Sequence, residues 1–503
     1  MYPQRQTFLI LGLSRSGKAA AEFLLRQGAR VYIYDDVISA RLESTARALV
    51  EQGGIRATKE TLPKMAEVCD ALVLSPGIPI DHPLAVAFKR QQKAVLGETE
   101  LAARYLKCPV VAVTGTNGKT TTVSLLTEIL KKGGIDAYAC GNIGTPTVEF
   151  CDKDERSVAV AEISSFQMET LNSLCPHIAV ILNVTEDHLN RHYTMENYIF
   201  LKAKLLKNCS GAEYAVLNYD DTIVRGFAEK TKARVVWFSL REKINGAYVE
   251  DGKLCFKGEK ILSISELSIG GAHNVLNALA AIAAAKIMGV DNEKIAQALS
   301  LFKGIKHRIQ EIATVNGVTY VDDSKGTNVD ATVKAAACMR AETVILLGGK
   351  NKGYDYKKLF AALKKTKIVH AVLYGENRYQ LLTCARELAF DSVTVCEAFA
   401  FAVRVAAMKA KEGQIVLLSP ASASFDEFAS YEERGDAFAK IVKSLAGKTE
   451  KNNNFEKVEN DGETDEEHID GIDGIDGVNS VNSGNDVDGI GNIAATVTER
   501  ETE

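Results

Sequence analysis

Residues 110–123 read VVAVTGTNGKTTTV, an apolar run that breaks into a glycine-containing loop before a lysine and three threonines. The apolar run predicts a buried strand, and the residues after the loop predict a helix. Glycines let backbone N–H groups turn around phosphate oxygens, the helix start adds partial positive charge, and Lys119 adds a full one. The Thr120 hydroxyl suits Mg²⁺. These flanking elements favour nucleotide binding over a chance strand–turn–helix, although Val113 stands where the usual phosphate loop has its first glycine.

The length and charge of the chain limit what it can be. Its 503 residues are enough for about three domains. The formal net charge of −5 combines a strongly acidic segment, 451–503, with a remainder that carries a net charge of +7. A mildly basic folded part suits anionic small molecules but is too weakly charged to indicate nucleic-acid binding.

Cysteine usage and hydropathy indicate a cytoplasmic protein. The ten cysteines are scattered, without a CxxC pair or metal-ligand spacing, which predicts reduced thiols in small core positions. No apolar run approaches the roughly 20 residues of a membrane helix. The short apolar run at 8–13 fits a first strand better than a signal peptide. We therefore predict no membrane contact.

Strand-like and helix-like segments alternate along most of the chain, which predicts an α/β fold with parallel sheets. We predict a Rossmann-like domain at 1–97, a central P-loop-type mononucleotide-binding domain at 98–303, a second Rossmann-like domain at 304–447 and a disordered acidic tail at 448–503. The tail is rich in Asn, Asp and Gly and nearly free of aromatic residues. Such a composition cannot bury enough surface to offset the entropy of ordering.

Residues 12–36 have the layout of a dinucleotide-binding fingerprint, with a glycine-rich turn, a helix, a strand and an acidic end. The GxGxxG pattern is broken because Ser14, between Gly12 and Gly17, stands where the pattern has its second glycine. An anion-binding helix start at 15–17 remains, as does the Asp35 carboxylate, which can accept a hydroxyl or imide N–H. Together with SPGIP at 75–79, these residues indicate either a nucleotide-like ligand or a purely structural arrangement.

Polar residues also follow strands in the second domain. Glu162 ends the segment VAVAE, and a carboxylate at the end of a buried strand needs a cation partner, which Mg²⁺ beside the phosphate loop would provide. His188 comes just after another strand, and Lys202 lies on the next predicted helix. Taken singly, each is explained as an ordinary hydrogen-bonding residue. Their common position at strand ends is what favours a site.

Four loops of the third domain carry lysine, arginine, serine and threonine. They are HR at 307–308, DDSKGTN at 322–328, GGKNKG at 348–353 and SPASASFDEF at 419–428. Such residues bind carboxylates and stabilise an oxyanion. Lysine-rich loops are usually only solvated, but four of them at the ends of parallel strands favour a binding surface.

Together these motifs resemble the Mur ligase family of ATP-dependent amide-bond-forming enzymes, over about residues 5–447. GTNGKTT, EISSFQ, NVTEDHL, HNVLNALAA, HR and DDSKGTN occur in the family's order. The first-domain segments GLSRSG and SPGI, and LLSPASASFDEF near the end, favour the branch that adds D-glutamate to UDP-N-acetylmuramoyl-L-alanine. The third-residue branch would carry a DNPR-type motif, which this sequence lacks.

Two other functions are compatible with parts of the sequence. Another Mur or folylpolyglutamate-type ligase would share the nucleotide chemistry, and only the first domain and the third-domain pocket discriminate against it. A nucleotide-binding regulatory module would bind ATP without ligation. A dinucleotide-dependent dehydrogenase is disfavoured by the broken fingerprint and by a Lys-Thr phosphate loop for which it has no use.

The resemblance implies a defined reaction and partners. ATP phosphorylates the carboxylate of UDP-N-acetylmuramoyl-L-alanine, and the amine of D-glutamate attacks the acyl phosphate, giving the amide, ADP and phosphate. This is a cytoplasmic step of peptidoglycan precursor synthesis. Two Mg²⁺ ions, a monomeric enzyme and closure of the third domain onto the second are implied as well.

The resemblance also implies roles for individual residues. Lys119 contacts the transferred phosphate and is one of four catalytic residues, with Glu162, His188 and Lys202. One metal is held by Thr120 and Glu162, and the second by His188 and Lys202, the latter as N6-carboxylysine. Lys204 is near enough in sequence to compete for that role. The ATP residues are Gly115, Thr116, Asn117, Gly118, Lys119, Thr120, Thr121, Asn274, Asn277, Arg308 and Asp323.

The substrate residues implied by the resemblance come from all three domains. The UDP group would be bound by Arg15, Ser16, Asp35, Ser75 and Gly77. The muramoyl-alanine end would contact Asn142 and His188. D-glutamate would be held by Lys325, Thr327, Lys352, Ser424 and Phe425, with Tyr431 closing the site. The chain departs from the family at Asn190, where many members have Asp, and at Tyr431, where Phe is expected. Val37 stands where a basic residue can grip the uracil or the diphosphate.

Overall fold

The computed structural model describes residues 3–37, 39–351 and 354–459. Three separate sheets follow one another along this part of the chain, with helices between their strands. Short 3-10 helices occupy Pro3–Arg5, Thr147–Phe150, Lys204–Leu206, Gly226–Lys230 and Ile264–Glu266.

The first sheet has five parallel strands in the order β3-β2-β1-β4-β5. The strands are β1 (Thr7–Leu11), β2 (Arg30–Tyr34), β3 (Ile55–Arg56), β4 (Ala71–Leu74) and β5 (Ala94–Gly97), and the helices are α1 (Arg15–Arg26), α2 (Ala40–Glu51), α3 (Leu62–Val68) and α4 (Pro83–Arg90). In β1, residues 8–11 are all buried, as expected for a central strand covered on both faces.

The central sheet has nine strands in the order β14-β13-β12-β11-β10-β9-β6-β8-β7. Its strands are β6 (Val110–Thr114), β7 (Asp136–Gly141), β8 (Ser157–Glu162), β9 (Ile178–Ile181), β10 (Tyr214–Asn218), β11 (Arg234–Ser239), β12 (Gly246–Glu250), β13 (Lys253–Phe256) and β14 (Glu259–Ser263). Its helices are α5 (Glu98–Ala103), α6 (Lys119–Lys132), α7 (Ser165–Thr170), α8 (Leu189–His192), α9 (Met195–Ala203), α10 (Thr222–Arg225), α11 (Ala272–Ile287) and α12 (Asn292–Leu301).

The antiparallel edge β12–β13–β14 is a feature that the sequence analysis missed. Two tight turns build it, one at Asp251-Gly252 and one at Lys257-Gly258, and all four residues have positive φ. The dipeptide Asp-Gly between two short strands is a strong hairpin signal. A search for that signal could have found the first of these turns.

The third sheet has the order β15-β16-β20-β17-β18-β19, with only β15 antiparallel to its neighbour. The strands are β15 (Gln310–Val315), β16 (Val318–Asp322), β17 (Thr343–Gly348), β18 (Ile368–Tyr374), β19 (Val393–Val395) and β20 (Ile415–Leu418). The helices are α13 (Val329–Ala337), α14 (Tyr356–Leu363), α15 (Arg378–Glu387), α16 (Phe399–Lys409) and α17 (Tyr431–Glu459). The β16, β17 and β20 strands end beside the loops that were predicted to bind ligand.

The core of the first sheet extends past residue 97, where we placed the first domain boundary. Leu101 and Ala102 of α5 are buried in this core together with Val148 and Cys151. Glu98 strengthens the same junction because its Oε1 accepts a hydrogen bond from the backbone N–H of Val148 at 2.7 Å. The first sheet therefore shares apolar packing with the segment that precedes β8.

The predicted tail boundary falls inside the last helix. We placed that boundary at residue 448, whereas α17 runs from Tyr431 to Glu459. The remainder of the predicted tail, 460–503, lies outside the described residues.

All ten cysteines are free thiols, and eight of them are buried, as predicted from their scatter. Burial raises the pKa of the Cys69 thiol to about 11. Such thiols stay protonated and serve as small apolar groups. None of the helices in the described part of the chain is long and apolar enough to cross a membrane.

The packing of α5 predicts a stability effect. Leu101 is fully buried, so Leu101→Ala should lower the free energy of unfolding by about 2–5 kcal/mol. Leu301→Ala is the matched control because Leu301 is 67% exposed, and its effect should stay within about 0.5 kcal/mol. Urea unfolding followed by circular dichroism measures both. Equal effects of the two substitutions would contradict the assignment of α5 to the first core.

Candidate active site

The loop between β6 and α6 is shaped as a phosphate cradle. Gly115 and Gly118 have φ of +154° and +89°, and a Cβ on Gly118 would collide with Oδ1 of Asn277. The Lys119 ammonium folds back over the loop, with Nζ 3.0 Å from the carbonyl oxygen of Gly115 and 2.9 Å from that of Thr116. Only glycine permits this backbone path, and the resulting loop presents N–H groups and an ammonium in one place.

Lys202 lies directly behind this loop. Its Nζ donates to the carbonyl oxygen of Gly115 at 2.7 Å and to Oγ1 of Thr114 at 3.3 Å, and the side chain is 1% exposed. Burial, and then the charge of Lys119, lower the pKa of Lys202 well below its ordinary value. Lys204, the alternative considered from the sequence, instead donates to carbonyl oxygens of α7. The structure thus brings Lys202, and not Lys204, to the phosphate loop.

Glu162 at the end of β8 is the carboxylate beside the loop. Its Oε2 accepts from Thr120 Oγ1 at 2.8 Å, and its Oε1 accepts from Asn142 Nδ2 at 2.8 Å. Burial would raise the pKa of Glu162, but the charges of Lys325 and Lys119 outweigh burial and lower it. Glu162 is therefore ionised and ready to face a cation.

Lys325 reaches this pair from the third domain. Its Nζ donates to Thr120 Oγ1 at 2.7 Å and to the Tyr431 hydroxyl at 3.2 Å. Burial lowers the pKa of Lys325 to about 8, although Glu162 opposes the shift. A positive group thus already lies against the Thr120–Glu162 pair.

His188 begins α8 with a φ of +55°, and its ring packs against Phe166 with centroids 4.7 Å apart. It lines a cavity of about 510 Å³ together with Lys119, Thr120, Glu162 and Lys202. All four catalytic residues suggested by the sequence therefore face one space. Among the described residues, no three His, Cys, Asp or Glu side chains converge as a metal site. A metal here would need a hydroxyl or a modified lysine as well.

All three domains contribute to the other side of this cavity. Arg15 and Asn142 line it, as do Lys325, Thr327, Ser424, Phe425 and Tyr431. The Arg15 guanidinium also donates to the Asn142 carbonyl oxygen at 3.2 Å, which joins the first domain to the central one. Lys352, the remaining residue assigned to D-glutamate, lies outside the described residues.

A second cavity of about 540 Å³ lies on the other side of the loop, between the central and third domains. It shares Asn117, Gly118, Arg308 and Lys325 with the first cavity. Its wall includes Asn277 and Asp323 among the predicted ATP residues, and the apolar Leu182, Phe238, Leu240 and Leu276. An apolar slot that opens onto a phosphate loop suits a nucleoside, and we call this space the nucleoside cavity.

Three of the predicted ATP residues do not line either cavity. Gly115 shapes the loop from behind. Asn274 donates to the Gly270 carbonyl oxygen and accepts from Asn277, so it orients Asn277. The Thr121 hydroxyl is buried without a hydrogen-bond partner among the described residues.

Charged groups around the nucleoside cavity have shifted pKa values. Burial raises the pKa of Asp323 to about 7, against the hydrogen bond from Ser419 and the charge of Arg308. Burial, reinforced by Arg308, lowers the pKa of His273 to about 4. Burial also lowers the pKa of the Arg308 guanidinium. His273 is therefore a neutral ring in the cavity wall.

The first-domain residues assigned to UDP fall into separate places. Asp35 lines a cavity of about 310 Å³, where its oxygens accept from the backbone N–H groups of Leu13 at 2.7 Å and Val37 at 2.9 Å. Ser75 donates to the Gly12 carbonyl oxygen, and the Gly77 carbonyl oxygen accepts a hydrogen bond from Arg191. The remaining residue, Ser16, is half-buried in the first turn of α1. Of the five residues assigned to UDP, only Arg15 lines the 510 Å³ cavity beside the phosphate loop.

Sequence reasoning missed two groups that shape the site. Asn183 exchanges two hydrogen bonds with the Asn117 backbone, each 2.9 Å long. Asp187 accepts hydrogen bonds from Asn328 and Tyr354 of the third domain. Both belong to the quoted segment NVTEDHL, so their position beside His188 was the available signal.

A phosphate loop faced by a lysine of another domain is the arrangement of an enzyme that transfers phosphoryl groups. Residues 6–97, 113–285 and 307–422 match, in turn, family models described as "Mur ligase MurD-like, N-terminal domain", "Mur ligase middle domain" and "Mur ligase, glutamate ligase domain". The chain belongs to the Mur ligase family, as its motifs predicted.

Three relatives at 37–41% identity carry the same name. A UDP-N-acetylmuramoylalanine–D-glutamate ligase of Pelotomaculum thermopropionicum is 41% identical over 453 residues, which span 88% of this chain and 98% of the relative. Enzymes of the same name from Clostridioides difficile and Streptococcus mutans are 37% and 38% identical, again over 98% of their own length.

Solved structures confirm the predicted three-domain α/β fold. MurC, the UDP-N-acetylmuramate–alanine ligase of Thermotoga maritima, matches with a TM-score of 0.59 at 17% identity, over 87% of this chain and 99% of that one. MurF ligase of the same organism, solved in complex with ADP, matches with a TM-score of 0.56 at 16% identity, over 89% and 100%. Identities this low establish the shared fold alone.

The close approach at Gly118 predicts a loss of nucleotide binding. Gly118→Ala adds a Cβ against Asn277 at a left-handed φ, and we expect ATP affinity to fall at least tenfold, about 1.4 kcal/mol. Gly134→Ala is the control because Gly134 has a similar φ of +82° with nothing within 4 Å of its Cβ. Calorimetric titration with a non-hydrolysable ATP analogue measures both. Equal affinities for the two variants would overturn the cradle assignment.

Proposed function

We propose that the protein uses ATP to join the amine of D-glutamate to the carboxylate of UDP-N-acetylmuramoyl-L-alanine, a cytoplasmic step of peptidoglycan precursor synthesis. The observation that carries this proposal is the contact of Lys325 with Thr120 inside a cavity that Arg15 also lines. Groups from all three domains thereby face one space, which suits a reaction with three anionic reactants. The identity of 37–41% to ligases of that name supports the same substrates.

The chemistry that this site suits is phosphoryl transfer followed by acyl transfer. A carboxylate oxygen of the UDP substrate attacks the γ-phosphorus of ATP, ADP leaves, and an acyl phosphate forms. The neutral amine of D-glutamate then attacks the acyl carbon, and the tetrahedral intermediate expels phosphate while the amine loses a proton. Transfer between anions depends on cations and positioning. Lys119 supplies a cation at the loop, and Lys325 supplies one from the facing domain.

The residues around Glu162 fit a magnesium ion. Mg²⁺ prefers oxygen ligands, and the Thr120 hydroxyl lies 2.8 Å from an ionised Glu162 oxygen. The contact of the Lys325 ammonium with Thr120 supports a place for positive charge here. Thr120 and Glu162 would hold one ion, and His188 with Lys202 a second. Bound Mg²⁺ would neutralise the charge that develops on the phosphates.

Lys202 can serve that second ion only after it loses its positive charge. Its pKa is lowered by burial and by Lys119, so the amine is neutral far more often than that of an exposed lysine. A neutral amine adds to the carbon of CO₂ and releases a proton, which leaves an anionic N6-carboxylysine. The modification would replace a repelling cation beside Lys119 with a carboxylate that binds metal.

The remaining roles follow the geometry and the family. In the nucleoside cavity, Asn277, Arg308 and Asp323 would contact ATP directly, with Asn274 holding Asn277 in place. Arg15 and Asn142 would face the UDP substrate at the mouth of the other cavity. Lys325, Thr327, Ser424 and Phe425 would surround D-glutamate, with Tyr431 above Lys325. We further propose a monomeric cytoplasmic enzyme that acts on neither nucleic acid nor membrane.

Omission of each substrate in turn tests the proposal. Phosphate release, followed by a coupled assay, should require ATP, UDP-N-acetylmuramoyl-L-alanine, D-glutamate and Mg²⁺ together, and excess EDTA should abolish it. L-glutamate and other amino acids should support little or no turnover. If the protein binds ATP but no acceptor amino acid stimulates phosphate release, it is not a ligase. If an amino acid other than D-glutamate is strongly preferred, the chain belongs to another branch.

The proposed modification of Lys202 predicts chemical rescue. Lys202→Ala should reduce kcat at least a hundredfold, and short carboxylates such as acetate should restore part of it by replacing the carbamate. Lys204→Ala is the matched control because the Lys204 ammonium donates to carbonyl oxygens of α7 and not to the phosphate loop, and its kcat should stay within a few-fold of wild type. Rescue of Lys204→Ala instead would move the assignment by two residues.

A further inference from the structure

Asp187 is the point where the central and third domains share a buried carboxylate. Its Oδ1 accepts from the Tyr354 hydroxyl at 2.7 Å, and its Oδ2 accepts from Asn328 Nδ2 at 3.1 Å. The residue is only 6% exposed. Hydrogen bonds to a charged group stabilise more than those between neutral groups, so this junction is stronger than a contact between neutral side chains.

Both donors stand at helix starts of the third domain. Asn328 caps α13, where its Oδ1 accepts from the Ala331 backbone at 2.8 Å. Tyr354 precedes α14, whose cap, Asp355, accepts from the Lys357 backbone at 3.0 Å. The partial positive charge of two helix starts therefore faces one carboxylate. Because the caps fix the backbone there, both donors move with the third domain as a body.

The same carboxylate also fixes the catalytic side of the junction. Asp187 Oδ1 accepts from the backbone N–H of His188 at 2.9 Å, and Oδ2 lies 3.6 Å from His188 Nε2. The charge of Asp187 also acts on Lys119 and Lys202, where it opposes the lowering of their pKa values. Opening of the third domain would thus strip two donors from a carboxylate that holds His188.

Tyr354 is suited to the role of a permanent donor. Burial and the charge of Asp187 both raise the pKa of its phenol, so the hydroxyl stays protonated. Its ring packs edge-on against that of Tyr356, with centroids 6.3 Å apart, and the Tyr356 hydroxyl is bound in turn to Ser422 and Asn377. Tyr354 is therefore positioned by the interior of its own domain and not by Asp187 alone.

We propose that Tyr354 and Asp187 form a closure latch, a positioning pair that holds the third domain against the phosphate loop and keeps His188 in place while the amine attacks. This inference rests on the proposed ligase function. The latch acts on ligands that need both domains, D-glutamate above all. The UDP group itself meets the first and central domains, so the latch contributes little to the binding of that substrate.

The test compares Tyr354→Phe, which removes the hydroxyl alone, with Tyr379→Phe, which removes one from an exposed tyrosine of α15. Phosphate release is measured against D-glutamate concentration, and binding of UDP-N-acetylmuramoyl-L-alanine is measured by calorimetry. For Tyr354→Phe we expect kcat/KM for D-glutamate to fall ten- to a hundredfold, with the affinity for the UDP substrate unchanged. Tyr379→Phe should match wild type in both measurements.

A double-substitution cycle with Asp187→Asn separates a latch from general damage. If the pair acts through one contact, Tyr354→Phe should have little further effect in the Asp187→Asn background. Thermal unfolding checks that each variant is folded, and Asn328→Ala serves as the second probe if Tyr354→Phe is not. Wild-type kinetics for Tyr354→Phe, or additive losses in the cycle, overturn the latch. If phosphate release by the wild-type protein does not depend on D-glutamate, the proposed function is overturned instead.

Discussion

Positive charges held close together in a water-poor space are the constraint on which the rest of the site depends. Lys202 is buried and Lys119 and Lys325 are half-buried, all near Glu162, and each has a lowered pKa for which burial is the largest cause. Such a cluster is costly in the free protein because each ammonium repels the others. The cost is offset when phosphates and carboxylates enter, so the cluster selects anionic ligands by charge before it selects them by shape.

The three sheets explain how these charges come together. Lys119 follows β6 and Glu162 ends β8, and these strands are neighbours in the central sheet whose carboxyl ends share one edge. Lys325 follows β16 of the third sheet, and its loop turns toward that edge. Parallel strands place their following loops on the same side, so residues far apart in sequence meet without special design. The fold brings charged loops together, and their side chains decide the chemistry.

Much of this could be predicted from the sequence, and the reasons are local. The phosphate loop, Glu162 and His188 stand at or just after the ends of apolar strands, and a strand end determines where the next side chain goes. Lys202 lies on α9, and its role was predicted from the family motifs. The roles of Asp187 and Tyr354 could not be predicted in the same way. Their roles depend on how one domain meets another, and periodicity within a segment carries no information on that contact. Asn274 and Ser75 show a different limit of prediction from the sequence. Both were assigned to ligands, but their side chains donate hydrogen bonds to backbone carbonyl oxygens of the protein.

The apolar core that α5 shares with the first sheet has a mechanical consequence. Apolar burial holds the first and central domains together through Leu101, whereas no apolar cluster of the described residues joins the third domain to the others. The third domain is attached by polar contacts such as those to Asp187, and water can bind the same groups when the domains separate. Between α12 and β15, Gly304, His307 and Ile309 all have positive φ, so the backbone changes direction within a few residues. These contacts favour a first and a central domain that act as one body, with the backbone at 304–309 as the place where the third domain can turn.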